Sequence, residues 1–141
     1  MVPRLSFGIE ANPKADELNP LANWVAVTET TSRPAVMFGL SSDRIGTPDG
    51  EAWFFTLSKD LERRTGLPLA PYVGASYGTW DNDLRPIGGL RARLGHGFAT
   101  TAIHDGKALH LAVEYAFLGR HAVSLLWIDV EDVGVSYSVA F

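Results

Sequence analysis

Apolar residues alternate with small or polar ones along almost the whole chain, and the period is two. The last nine residues make the pattern plainest. Val133, Val135, Tyr137, Val139 and Phe141 fall on one face, with Gly134, Ser136, Ser138 and Ala140 on the other. Successive strand side chains point to opposite sides, so such a segment reads as a strand with one greasy and one smooth face. In segment 108–117, Leu109, Leu111, Val113, Tyr115 and Phe117 oppose Ala108, His110, Ala112, Glu114 and Ala116. The same rhythm runs through Leu5–Ile9, Val36–Ser41, Ala52–Ser58, Val73–Gly78 and Gly89–Leu94, while 24–30 is rich in β-branched residues and 98–104 completes the set. Segment 122–130 is apolar on both faces, which leaves its register open. The spacing predicts roughly ten strands, with eight as the lower count.

Short links between these segments predict antiparallel hairpins, since a parallel crossover needs about a dozen residues. Asp105-Gly106 carries the signature of a primed two-residue turn, and Gly95-His96-Gly97, Leu118-Gly119-Arg120 and Glu131-Asp132 are comparably tight. Longer links are expected at 11–23, 43–51 and 59–71. One helix is expected, Ser58–Thr65, with Ser58 as N-cap, arginines in its last turn and Gly66 as its stop. The chain therefore reads as a single all-β domain over 1–141, an antiparallel up-and-down meander of 8–10 strands closed into a small barrel. Closure removes exposed sheet edges.

Composition narrows where such a barrel would sit. The net charge of −4 offers no basic surface for nucleic acid, and the absence of cysteine excludes disulfides and thiolate metal sites. The non-apolar face is mostly Gly, Ala, Ser and Thr, a poor coat for a water-facing sheet. Its few charges are complementary. Arg4, Arg91 and Arg93 stand against Glu10 and Glu114, with His110 near in sequence, and a narrow lumen would hold them as paired ions. The apolar face would then meet lipid through Leu109, Leu111, Val113, Tyr115, Phe117, Val135, Tyr137, Val139 and Phe141. Met1-Val-Pro-Arg leads straight into an alternating segment without a signal peptide. Export would mean that the numbering is that of a mature chain with an added Met, or of a truncated one.

With its closing strand Val133–Phe141 ending on an aromatic residue, its even strand number and its loop asymmetry, the chain resembles small bacterial outer-membrane β-barrel proteins. The resemblance covers residues 72–141 well and the first half loosely. It implies that the terminal strand is read by the barrel-assembly machinery, a location in the outer membrane, and lipid as partner, together with other envelope proteins. The pattern departs from that class where the 59–71 link is long but falls on the periplasmic side, and where the links at 105–107 and 131–132 are very short.

Chemistry-bearing residues are sparse. His104 beside Asp105 falls at a hairpin and reads as a turn residue. His110 and Glu114 share a face but lie about 13 Å apart by strand rise, too far to bind one metal. His96 and His121 read as surface, and no metal site or cofactor is expected. A lipid-modifying hydrolase would need His and Ser two apart on one strand face, whereas His121 and Ser124 are three apart. Gly88-Gly89 and Gly95-His-Gly97 open no helix and are no phosphate loops. Asp81-Asn82-Asp83 is a candidate oxygen site for Ca²⁺, but such residues more often cap a solvated turn. Trp24, Trp53, Trp80 and Trp127 suit either interfacial anchoring or sheet packing. The expected role is non-enzymatic: an envelope scaffold or assembly subunit with a narrow or plugged lumen. A soluble lipocalin-like cup for a small apolar ligand is the first alternative and requires Leu109, Leu111, Val113, Tyr115 and Phe117 to point inward. A lipid-modifying hydrolase is the second.

Overall fold

The computed structural model describes residues 4–12, 17–43, 49–128 and 132–140. Its strands are β1 (Leu5–Asn12), β2 (Glu17–Val27), β3 (Ala35–Ser42), β4 (Glu51–Ser58), β5 (Leu69–Gly78), β6 (Asp83–Gly95), β7 (Phe98–His104), β8 (Leu109–Phe117), β9 (His121–Ile128) and β10 (Asp132–Ala140). Each pairs antiparallel with its neighbours in sequence. The first and last strands pair as well, from Ser6 opposite Ala140 to Ala11 opposite Val135, so the sheet closes into a ten-stranded barrel.

Register carries the alternation around the wall without a break of face. Phe7 lies opposite Ala22 and Val139, Tyr137 opposite Val123, and Leu125 opposite Val113. The greasy face is the outer one. Leu109, Leu111 and Tyr115 are 57%, 50% and 44% exposed, and Val73, Trp53 and Phe7 are open in the same way. The soluble-cup arrangement needs the reverse. Phe141 lies outside the described residues.

Links 28–34, 59–68, 96–97 and 118–120 gather at one end, here the lower end, with Leu5 and Ala140. Asp43, Asp49-Gly50 and the links 79–82 and 105–108 lie at the upper end.

Several local expectations change. Residues 17–23, expected as a link, form more than half of β2, which pairs with β1 from Trp24 opposite Leu5 to Glu17 opposite Asn12. Pro20 obscures this strand, because proline cannot donate to a ladder. Its position resolves the conflict. The β2–β3 ladder begins at Ala22, so Pro20 stands beyond its end. Pro86 likewise lies beyond the β6–β7 ladder, which begins at Gly88, and Pro71 beyond the β4–β5 ladder, which ends at Tyr72.

The helix is α1 (Glu62–Thr65), a single turn. Ser58 is no N-cap: it remains in β4, between Ala35 and Tyr72. Gly66 does stop the helix, with φ 73 and its N–H donated to the Glu62 carbonyl. At the 105–108 turn, the residues between the closing pair are Gly106 and Lys107, one position later than the Asp-Gly signal. Gly106 has φ 98, and the Ala108 amide donates to the Asp105 carboxylate at 2.8 Å. His96-Gly97, with φ 52 and 84, has the two positive values of a primed hairpin turn.

Inside the barrel, Phe54 lies directly across from Gly39, and a Cβ there would come within 2.2 Å of the Phe54 ring. The missing side chain is thus the space the ring fills.

Candidate functional site

Two surfaces hold the candidate chemistry: the lumen and the outer wall. A cavity of about 510 Å³ runs inside the barrel, from Ser42, Asp43 and Asp105 near the upper end to Ser58 and Ala70 near the lower. Its wall is rich in hydroxyls, with Ser76, Ser124, Ser136, Thr56 and Thr101 among them. By volume it has room for on the order of 15 waters at ~30 Å³ each.

Of the six residues expected to form a charged network, four lie in the interior and two do not; of the four, Arg91 and Glu114 pair with each other. Arg91 on β6 and Glu114 on β8 form a two-pronged ion pair, Nη1 donating to Oε2 at 3.3 Å and Nη2 to Oε1. Glu10 lines the cavity and accepts from the Ser42 hydroxyl at 2.7 Å, not from an arginine. His110, 1% exposed, is anchored through Nε2 to Asp105 Oδ2 at 3.0 Å. Arg4 precedes the first strand and stands exposed at the lower rim. Arg93 is drawn out of the lumen by the 59–68 link: it donates to Asp60 Oδ2 at 2.8 Å and also pairs with Glu62. The register of β6 shifts just beyond it, between Arg93 and Gly95.

The most deeply buried ion pair among the described residues is one the sequence hides. Arg85 and Asp43 are 5% and 8% exposed and lie 3.5 Å apart at the upper end. Arg85 also reaches Asp81 at 2.6 Å and Asp83 at 3.5 Å, and Lys107 pairs with Asp81 at 2.7 Å. The Asp43 carboxylate accepts from the Trp80 amide and occupies the space beside Gly78, where a Cβ would meet it at 1.9 Å. This cluster clamps the end of β3 to the 79–82 turn. Arg85 occupies the centre of the carboxylates considered above for Ca²⁺, and Asn82, with φ 53, is a turn residue bonded to the Tyr77 hydroxyl at 2.6 Å. The available signal was parity: Arg85 shares the inward face of β6 with Arg91, but the adjoining Asp81-Asn82-Asp83 read as a turn.

Two carboxylates outside the strands titrate below their ordinary range. Burial pushes Asp105 up, but amide hydrogen bonds from Ala108 and Lys107 and the contact with His110 outweigh it. Asp60 is lowered chiefly by the Arg93 guanidinium.

Two other histidines, His104 and His121, hold partners nearby. The Gly106 amide donates to His104 Nδ1 at 3.1 Å, and His121 shares a 2.5 Å hydrogen bond with the Tyr137 hydroxyl on the outer wall. Among the described residues no three His, Asp or Glu side chains gather as a cation site.

The outer wall is uniform. Between the rims its positions carry no Asp, Glu, Lys or Arg among the described residues. The Thr100 hydroxyl, a polar group on this face, is donated to the Ala112 carbonyl at 3.0 Å. Val113, Phe117, Val135, Tyr137 and Val139 share the outward face with Leu109, Leu111 and Tyr115. At the lower end the rings of Phe98, Tyr115, Phe117, His121 and Tyr137 follow one another at centroid distances of 4.7–5.9 Å. Trp24 stacks on Phe38 at 6.0 Å near the same end, while Trp53, Trp80 and Trp127 lie toward the upper end.

No protein-family model matches the chain, and neither a curated protein nor a solved structure resembles it significantly.

Proposed function

We propose that this protein is a non-enzymatic β-barrel of the bacterial outer membrane, a scaffold or a subunit of an envelope assembly with a narrow lumen. The observation that carries the reading is the uncharged outer wall. A soluble barrel spends its apolar face on a core, worth about 1.5–3 kcal/mol for each large side chain buried. Here that face is turned out, where only an apolar solvent recovers the benefit. Strand length is compatible with a membrane: strands of 7–13 residues bracket the ~9–11 that span a bilayer at a tilt. The paired hydroxyl of Thr100 suits hydrocarbon, where an unpaired one would be costly. A wide pore does not fit a cavity of about 510 Å³ that contains the Arg91–Glu114 pair.

The test is extraction and gel migration of the folded chain. The reading expects detergent dependence and a different mobility before and after boiling. A chain that is monodisperse in plain buffer overturns it.

A further inference from the structure

Charge is distributed unevenly between the two ends. At the lower rim, Lys59 is held by Glu29 at 3.1 Å, Arg93 by Asp60 and Glu62, and Arg33 donates to the Thr28 carbonyl at 3.3 Å. Those three carboxylates are the acidic side chains of that rim. Arg4, Arg63, Arg64 and Arg120 remain exposed, and among the described residues none makes a contact ion pair with a carboxylate, although Arg63 lies near enough to Asp60 to act on its charge. Among the described residues the opposite rim is acidic, with Asp43, Asp49, Glu51, Asp81, Asp83 and Asp105 outnumbering Arg85 and Lys107.

We propose that the lower rim binds the anionic headgroups of phospholipids of the phosphatidylglycerol type, in the leaflet at that end. The inference rests on the membrane reading above. Its support is the placement of the four arginines. Arg120 joins β8 to β9, Arg4 precedes β1, and Arg63 and Arg64 lie between β4 and β5. In the closed order of strands these positions are spread around the circumference. A ring of cations fits a planar layer of phosphates; a folded partner or a nucleic acid would call for one contiguous patch.

The wall immediately adjoining this rim completes the site. The ring ladder from Phe98 to Tyr137 lies on the outer face at the same end, and Arg120 directly precedes His121 within it. A lipid seated there would place acyl and glycerol groups on aromatic faces and its phosphate at guanidinium height.

Trp24, outward and near the lower end, supplies the probe. The barrel with Trp53→Phe, Trp80→Phe and Trp127→Phe is reconstituted in phosphatidylcholine vesicles containing a minor fraction of phosphatidylglycerol. Brominated acyl chains are carried on one lipid or the other at equal mole fraction. The expected result is that brominated phosphatidylglycerol quenches Trp24 as though enriched about threefold or more beside the wall. The excess disappears with Arg4→Gln, Arg63→Gln, Arg64→Gln and Arg120→Gln combined, and in about 1 M NaCl, where attraction is screened beyond ~3 Å. Equal quenching by both lipids overturns the proposal and leaves the membrane reading standing. Quenching by neither sinks the membrane reading itself. Should the three-Phe chain fail to fold, the ratio of the two lipids co-purifying with the unaltered barrel decides: enrichment of phosphatidylglycerol supports the proposal, and a ratio equal to that supplied overturns it.

Discussion

Arg85 shows how much a single inward side chain can settle. Its guanidinium and the Asp43 carboxylate are both almost wholly buried, so they depend for the solvation they have lost on each other, on Asp81 and on the Trp80 amide. Arg85→Met leaves Asp43 charged and uncompensated, and an expected loss of about 3–5 kcal/mol follows. Unfolding by denaturant in detergent reads it, and a loss below ~1 kcal/mol would sink the clamp. The Arg91–Glu114 pair is a useful contrast. Its side chains are 39% and 24% exposed toward a wet lumen, so Glu114→Gln is expected to cost no more than about 1 kcal/mol. Asp105 adds a pH dependence. Its carboxyl titrates below the ordinary ~3.9 of an unfolded chain, so its contribution is complete above about pH 4–5. That contribution is lost as pH falls through the lower native value. Asp105→Asn should therefore flatten the acid limb of the stability curve below about pH 4, and an unchanged limb would contradict the assignment.

At the scale of the strand, one rule governs most substitutions: what matters is the face. Val113 lies at the middle of β8 on the outer wall, where an arginine is expected to cost about 2–4 kcal/mol of folding into a bilayer. Folding yield into vesicles measures this, and tolerance of Val113→Arg would argue for water on that face. Gly39 is the interior counterpart. A side chain there collides with the Phe54 ring, so Gly39→Val forces the ring aside and should cost about 1–3 kcal/mol. Strand prolines obey a related logic. Pro20, Pro71 and Pro86 each stand beyond the end of one of the two ladders that flank them, where a missing donor breaks no pairing on that side.

For the whole molecule, closure between the first and last strands is the decisive event. Ser6 and Ala140 are directly opposed across that seam although 134 positions separate them. The chain has no cysteine of its own, so Ser6→Cys combined with Ala140→Cys introduces a single cross-link. Oxidation of the folded barrel should then give a chain that, once denatured without reductant, migrates as a closed loop. Absence of that band in folded protein would argue for an open sheet.

The alternation in the sequence was enough for an all-β antiparallel architecture of about ten strands, because the period-two pattern and short turns are local. It also separated a greasy face from a smooth one, as in Leu109–Phe117 against His110–Glu114. The lumen was legible in part: Glu10, Arg91, His110 and Glu114 are inward by parity alone. Partners were not, since Arg93 leaves for Asp60 and Glu62 across a link, and Asp43 meets Arg85 from 42 positions away. Ser58 looked like a helix cap because propensity is local, yet its pairing with Ala35 and Tyr72 is not. Which face turns outward was likewise beyond the pattern, because alternation is the same in a barrel and in its inverse. Only curvature of the closed sheet decides that, and it places the apolar face outside.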